Sequence, residues 1–461
     1  MPNIYVKDII DKCNGELLIG DKNLVLNNFS KDTRTINKGD IYIGIKGESF
    51  DGNTFYEEAF SKGASCCILD NIPENIDISK YQDKTIIKVP NTIKCIQQLA
   101  KIKRSMYNIP VIAVTGSVGK TSTKDIIYEV VKTKYKTLKT EGNQNNHIGL
   151  PLTILKLTDE EALVVEMGMN HLGEISVLAN IVKPTIAVIT NIGTAHIGLL
   201  GSRENILKAK LEITEPLSKD NTLIINNDND LLHKESSKLK DKYNLITIGI
   251  DNDSNYKATN IKDNIFSSNF NINKDNITIN VGSTAFIYNS LVAYAIGKKL
   301  NIESSKIIKA ISNFKLSPHR LERKITKNNI TLIDDTYNAN QDSMINSLSI
   351  LSKVKDKRKI AILGDILELG DYSEQIHRNI GKNITKDTLD ILITIGNYSK
   401  YIKEEALNNN FPIDNIYSYD NYEESLEELP SILKPNDIVL LKASHGIKLD
   451  KIVDYLLHHY S

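Results

Sequence analysis

The sequence has no net charge: 57 Lys and Arg balance 57 Asp and Glu over 461 residues. That balance argues against a surface built throughout to embrace nucleic acid or an anionic membrane, and leaves room for a local basic site for a small polyanion. No apolar run approaches the ~18 residues that span a bilayer, so membrane insertion is not expected. The start, Met1-Pro2-Asn3-Ile4-Tyr5-Val6-Lys7-Asp8, lacks the basic and apolar regions of a signal peptide. Cysteine is scarce: Cys13, Cys66, Cys67 and Cys95 are too few for a disulfide scaffold, and none shows the C-x-x-C spacing of a zinc site. Cys66 and Cys67 lie in the run Ala64 to Leu69, read as a buried strand in which free thiols pack as small apolar side chains. There is no internal repeat, and no low-complexity tract beyond a general richness in Asn, Ile and Lys. With 25% charged and 41% apolar residues the composition is that of a folded globular protein. A cytosolic location is expected.

At roughly 150 residues per domain the length predicts about three domains. The first 85 or so residues mix short strands, such as Ile41 to Ile45, with the turn-rich Lys46 to Asn53 and a helical stretch from Phe55 to Lys62 closed by Gly63. A strand from Thr85 and an amphipathic helix from about Thr92 to Met106 lead into the middle of the chain. There, short apolar runs alternate with helix-length spacers: Val111 to Val114, Ala162 to Val165, Ile186 to Ile189 and Leu223 to Ile225. This is the pattern of buried parallel strands in an α/β sheet. Residues 251 to 281 break it with Asn-rich alternation, which predicts an antiparallel appendage. A second α/β series begins after Pro318, with strands at Thr331, Ile360, Ile391 and Ile438.

Thr115-Gly116-Ser117-Val118-Gly119-Lys120-Thr121 follows the first of the buried runs and opens a helical stretch, Ser122 to Lys132. Glycines let the backbone curl so that its N–H groups converge on phosphate oxygens; Lys120 supplies a point charge, and the Thr121 hydroxyl can ligate Mg²⁺. Gly116, Ser117, Gly119, Lys120 and Thr121 therefore predict a nucleoside triphosphate site. The longer G-x-x-x-x-G-K-[ST] form is not matched, because Val114 stands at its first glycine. Glu166 and His196 lie at or just beyond the ends of later strands, where ligands bind in open α/β sheets. By position alone such residues are more often a solvated strand end and a structural histidine than magnesium ligands. Lys210, by itself, reads as a solvated helix lysine. The amide-rich Asn143 to Pro151 tract reads as a phosphate or carbonyl holder, or as a turn.

Together these pieces resemble the Mur ligase family, the ATP-dependent amide ligases that build the peptidoglycan stem peptide. The resemblance runs through the whole chain. Asp32-Thr33-Arg34, Gly39 to Tyr42 and Lys46 to Gly52 are similar to its uridine-nucleotide-binding domain, and the middle block carries the phosphate loop, Asn145-Asn146, Glu166, Thr190 to Ile192, His196 and Lys210 to Glu212. Asp334-Asp335-Thr336-Tyr337-Asn338-Ala339-Asn340 with Ser343-Met344, and Leu363 to Gly370 with His377, are similar to the branch that adds D-alanyl-D-alanine. The D-Y-A-H-T-P type segment of the diaminopimelate- or lysine-adding branch is missing there.

The resemblance implies three α/β domains: a uridine-nucleotide domain (1–86), a central parallel-sheet ATP domain (87–314) and a Rossmann-like domain (315–461). It implies ATP as cofactor, two Mg²⁺ held by Thr121, Glu166, His196 and a Lys210 carbamylated by CO₂, with Lys120, Lys210, His196 and Arg320 as catalytic groups. Asn289 would meet adenine, while Arg320 and Asp335 would reach the γ-phosphate and ribose. Thr33, Arg34, Lys46, Asp51, Gly52, Asn145, Asn146, Tyr337, Asn338 and Asn340 would contact substrate, either UDP-N-acetylmuramoyl-tripeptide or D-alanyl-D-alanine. The reaction implied is amide synthesis through an acyl phosphate by a monomer, in a pathway tied to cell shape and division. Another Mur-type ligase with a different amino acid, or a non-ligating NTP-binding switch, are the alternatives. Four single positions and one segment depart from the family pattern: Val118 for Asn, His147 for an acid, Ala285 for His, His319 for Gly, and Lys442-Ala443-Ser444-His445 for Lys-Gly-Ser-Arg. The last leaves an imidazole, with a pKa near 6.5, where a guanidinium would stay charged.

Overall fold

The computed structural model describes residues 3–73 and 76–460; Met1 and Pro2, at the start read for a signal peptide, lie outside the described residues. Three main sheets follow one another along the chain, and each is α/β. The first has five strands in the order Glu16–Ile19, Thr85–Lys88, Cys66–Leu69, Ile41–Ile43, Phe29–Ser30, parallel except at its first pair. Cys66 and Cys67 are buried there as free thiols, as their run predicted.

The central sheet has nine strands. Six run parallel in the order Asn244–Gly249, Thr222–Asn226, Ile186–Ile189, Val111–Thr115, Ala162–Glu166, Thr137–Lys139. Tyr256–Asp263 joins in parallel, and Ser268–Ile272 and Asp275–Ile279 then fold back antiparallel as the appendage that the alternating Asn-rich segment predicted. Period-two alternation sorts the side chains onto two faces. Val111, Ala113, Leu163, Val165, Ala187 and Ile189 face one core, and Ile112, Val114, Val164, Ile186 and Val188 face the other. Both faces must be covered, so the strands read as unbroken apolar runs. Helices Lys120–Val131 and Thr284–Lys299 cover the second face. Helix Thr92–Ser105 buries Cys95, Ile96, Leu99 and Ala100 in a core that runs unbroken from the first sheet to the central one.

The third sheet runs Glu322–Ile325, Thr331–Asp334, Ile438–Lys442, Lys359–Gly364, Ile391–Ile395, Ile416–Tyr419, all parallel but for the first pair. In the central and third sheets four strands have no counterpart among the apolar runs of the sequence: Thr137–Lys139, Asn244–Gly249, Glu322–Ile325 and Ile416–Tyr419. Three are edge strands and all four carry half-buried or exposed residues, so nothing forces a contiguous apolar run. The phosphate-loop helix starts at Lys120, two residues before the expected Ser122.

Phe270, wholly buried, ties the antiparallel appendage to the second core. Phe270→Ala is expected to destabilise the central domain by about 3–5 kcal/mol, read as a lower urea midpoint. An unchanged midpoint would show that the appendage is not part of that core.

Candidate active site

The phosphate loop leaves strand Val111–Thr115 and is stitched to the neighbouring strand end before any ligand arrives. Ser117 N–H donates to Asn191 O (3.1 Å), Val118 N–H to Asn191 Oδ1 (2.9 Å), and Thr190 Oγ1 to Val118 O (2.7 Å). The crossing is so close that a Cβ on Gly116, whose φ is 152°, would lie 1.8 Å from Thr190 Oγ1. Gly119, at φ 82°, turns the chain into the helix. Both positions need glycine, one for room and the other for a left-handed backbone. Lys120 Nζ folds back on Gly116 O at 2.9 Å; burial lowers its pKa, with Glu166 opposing and Arg320 adding to that fall.

Glu166 stands opposite Val114 in the strand register, so its carboxylate emerges beside the loop. Its Oε2 accepts from Thr121 Oγ1 (2.8 Å) and its Oε1 from Asn145 Nδ2 (2.7 Å). From the third domain, Arg320 Nη2 donates to the same Thr121 hydroxyl at 3.1 Å, and its guanidinium stacks 4.1 Å above the Tyr337 ring. The structure thus gathers Lys120, Thr121, Asn145, Glu166, Arg320 and Tyr337 into one connected site.

Burial, with Lys120 and Lys210 nearby, lowers the pKa of His196 to about 4, which keeps its imidazole neutral with a lone pair to offer. Lys210 is 1% exposed on helix Arg203–Leu211, so the solvated lysine that its sequence alone permits is not what folds. Burial, and then the charge of Lys120, push its pKa well below the usual lysine range. None of the described residues hydrogen-bonds its amine or forms an ion pair with it. The contrast is Lys124, equally buried, whose amine donates to Thr140 O (2.7 Å) and pairs with Asp125 (3.0 Å).

A site of hard oxygens with one neutral imidazole suits Mg²⁺, and a buried amine whose pKa is lowered suits reaction with CO₂. The Thr121, Glu166, His196 and Lys210 donor set fits both groups. Among the described residues, the three carboxylate or imidazole groups close enough to share one cation are His319, Glu322 and Asp334. There Lys324 already supplies the cation, 2.7 Å from Asp334 and 3.3 Å from Glu322.

Other expected residues are occupied locally. Asn289 is buried against the loop helix, its Oδ1 accepting from Thr123 Oγ1 (2.8 Å) and 3.3 Å from where a Gly119 Cβ would stand. Asp335 pairs with Lys442 (2.6 Å) and accepts from Ser347 (2.7 Å) and the Leu321 N–H (3.3 Å). Asn340 caps helix Gln341–Ser352. Lys442 Nζ donates to the Asn338 carbonyl (3.1 Å), and the Asn146 side chain accepts from Ile148 and Gly149 N–H groups. His377 is a packed core group, with Nε2 accepting from Ile366 N–H and Nδ1 donating to Ser373 O. In the first domain Thr33 donates to Glu58 and Asp51 caps the turn at Gly52–Phe55. Gly52 donates to Ile45 O (3.0 Å), and Lys46 forms a β-bridge with Asp51. Arg34, its side chain 84% exposed, pairs with Asp32 and holds that carboxyl down at about 2. These first-domain groups share no hydrogen bond with the phosphate loop. Sequence reasoning missed the bracing side chain of Asn191, and Asp342, which crosses from the third domain to Thr194. Asn191 stands in the Thr190 to Ile192 block with no role assigned to it, and nothing in a single sequence marks Asp342.

The Mur ligase middle domain pattern matches residues 114–297, and the Mur ligase, glutamate ligase domain pattern matches residues 319–445. The chain is 36% identical to the UDP-N-acetylmuramoyl-tripeptide–D-alanyl-D-alanine ligase of Bacillus subtilis over 98% of each chain. It is 31% identical to the Escherichia coli enzyme of that name over 87% of this chain and 88% of the other. Its fold is similar to MurF from Acinetobacter baumannii, with a TM-score of 0.89, 26% identity and 99% of both chains covered. MurF ligase from Thermotoga maritima in complex with ADP gives a TM-score of 0.82 at 26% identity, covering 94% and 98%.

Gly116→Ala is expected to weaken ATP binding by roughly 100-fold or more, because the added methyl meets Thr190 and strains the backbone by a few kcal/mol. Equilibrium titration with ATP checks this; affinity within threefold of wild type would show that the loop can relax.

Proposed function

The chain belongs to the Mur ligase family, and from that membership we infer its reaction: ATP-dependent joining of D-alanyl-D-alanine to UDP-N-acetylmuramoyl-tripeptide in peptidoglycan precursor synthesis. The tripeptide carboxylate attacks the γ-phosphorus of ATP, the bond to the bridging oxygen breaks, and ADP leaves. The amine of the dipeptide then attacks the acyl carbon of the resulting acyl phosphate, loses a proton, and phosphate departs. The phosphoryl group carries little covalent chemistry for a protein to perform, so positioning and charge dominate the catalysis.

Lys120 is placed to meet the terminal phosphates once ATP displaces its bond to Gly116 O, and the loop N–H groups cradle them. Arg320 arrives from the other domain, held flat by Tyr337, and adds positive charge where the γ-phosphoryl group passes. Thr121, Glu166 and His196 would hold Mg²⁺, which when bound neutralises phosphate charge. Lys210 would hold a second ion as its carbamate: the unprotonated amine adds to CO₂ and loses a proton, which would place an anion at a buried position that has no carboxylate partner. The observation that carries this reading is Lys210, buried without a counter-charge near Lys120, since an uncompensated lysine costs too much to keep without use. Asn289 and Asp335 remain the proposed contacts of adenine and ribose. Thr33, Arg34, Lys46, Asp51, Gly52, Asn145, Asn146, Tyr337, Asn338 and Asn340 remain the proposed contacts of the uridine-linked peptide and the dipeptide. Domain limits near 86 and 314, and action on a cytosolic nucleotide-linked precursor, belong to the same proposal.

Phosphate release should require ATP, D-alanyl-D-alanine and a uridine-linked muramoyl tripeptide together; steady release without the tripeptide would sink the ligase reading. Lys210→Ala should lower kcat by about 100-fold or more while leaving ATP affinity within threefold. Carbon-13 NMR with labelled bicarbonate should show a carbamate signal in wild type that Lys210→Ala lacks.

A further inference from the structure

Asp342 stands in the first turn of helix Gln341–Ser352, a helix already capped by Asn340 and Ser343. Its carboxylate therefore has no capping work to do, and it crosses the domain boundary. Oδ2 accepts the backbone N–H of Thr194 at 3.0 Å, with the Thr194 hydroxyl at 3.4 Å. The neighbour, Gly193, lies so close that a Cβ there would sit 2.1 Å from the same oxygen. Gly193 N–H in turn donates to Ser117 Oγ, a side chain of the phosphate loop, at 2.9 Å. Three links thus join the third domain to the phosphate loop: Asp342, the Gly193-Thr194 backbone, and Ser117. Arg203, in the field of Asp342, is fixed by Asp230 (2.6 Å) and by Ile192 O (2.7 Å), so the receiving loop is braced from behind.

The segment before Asp342 carries Tyr337, on which Arg320 stacks. Docking of Asp342 on Thr194 therefore fixes the helix whose leading loop presents Arg320 to Thr121. We propose that Asp342 is a positioning residue for phosphoryl transfer: it latches the third domain onto the loop beside Ser117 and so holds Arg320 at the γ-phosphate. The latch rests on the ligase reading for its consequence in kcat. Its geometry is independent of that reading. The phosphate loop and Asn289 hold ATP from the central domain, so loss of the latch, which frees Arg320 and the Asp335 ribose contact, costs kcat more than nucleotide affinity. Gly193 is part of the device, because any side chain would occupy the place of the carboxylate.

The experiment compares wild type with Asp342→Ala, Asp342→Asn and Gly193→Ala in the ligation assay, in ATP titrations, and by small-angle scattering with ATP bound. Asp342→Ala and Gly193→Ala are expected to lower kcat by about 10- to 100-fold, the size of one lost hydrogen bond to a charged group, with a clearly smaller loss of ATP affinity and a larger radius of gyration. Asp342→Asn keeps a carbonyl acceptor and should recover most of kcat. The latch is overturned if Asp342→Ala keeps kcat within twofold, if Asn and Ala are equally impaired, or if ATP affinity falls in step with kcat. A wild type that ligates nothing, yet shows the scattering difference, would sink the ligase reading and leave the latch standing.

Discussion

The hydroxyl of Thr121 is where the site is joined. Arg320 has only donors, so Thr121 must accept from it, and the one hydroxyl proton is then committed to Glu166. A phosphate-loop residue, a strand-end carboxylate and a guanidinium from another domain are thereby held in a single directional chain. Each member depends on architecture behind it. Glu166 is in reach because its strand pairs with the loop strand in the register that sets it opposite Val114. The loop itself is held by Thr190 and Asn191 at the end of the next strand, and Gly116 is the only residue that leaves room for that crossing. The parallel order of three adjacent strands is thus the scaffold on which the chemistry is built.

Backbone strain and buried charge concentrate around this point. Arg320 is flanked by two left-handed residues, His319 at φ 61° and Leu321 at φ 54°, each costing on the order of 1 kcal/mol. His319 is held by Asp334 (2.8 Å) and, through its N–H, by Glu322 (3.2 Å); Leu321 is held by Asp335 and packs into both the central and the third core. A histidine at 319, in place of the family's glycine, therefore adopts a glycine's conformation and replaces its freedom with an anchor. The two buried lysines divide in the same way. Lys124 has a carbonyl and a carboxylate and serves structure, whereas Lys210 has neither, and burial lowers its pKa in the direction that chemistry with CO₂ requires.

Much of this was legible in the sequence, for reasons that differ by element. Buried parallel strands cannot avoid continuous apolar runs, so Val111–Thr115, Ala162–Glu166, Ile186–Ile189 and Thr222–Asn226 announced themselves. Half-exposed strands such as Glu322–Ile325 are under no such constraint and left no trace. The phosphate loop was legible because its glycines, Lys120 and Thr121 serve one local geometry within six residues. Asn340, Asn146 and Asp51 show the opposite case. Each is a polar residue that a substrate contact and a turn or helix cap would specify equally, and the structure finds all three capping.

The sequence by itself determined the α/β class, the triphosphate loop and the family, because local spacing and the order of apolar runs survive without three dimensions. Tertiary structure decided what each isolated polar residue faces. Burial is a property of what packs around a side chain, so only the fold could turn Lys210 from a solvated lysine into a buried amine with a lowered pKa. Proximity across hundreds of residues is likewise invisible along the chain. Arg320 on Thr121 and Asp342 on Thr194 exist because two separately folded sheets meet, and no periodicity encodes that meeting.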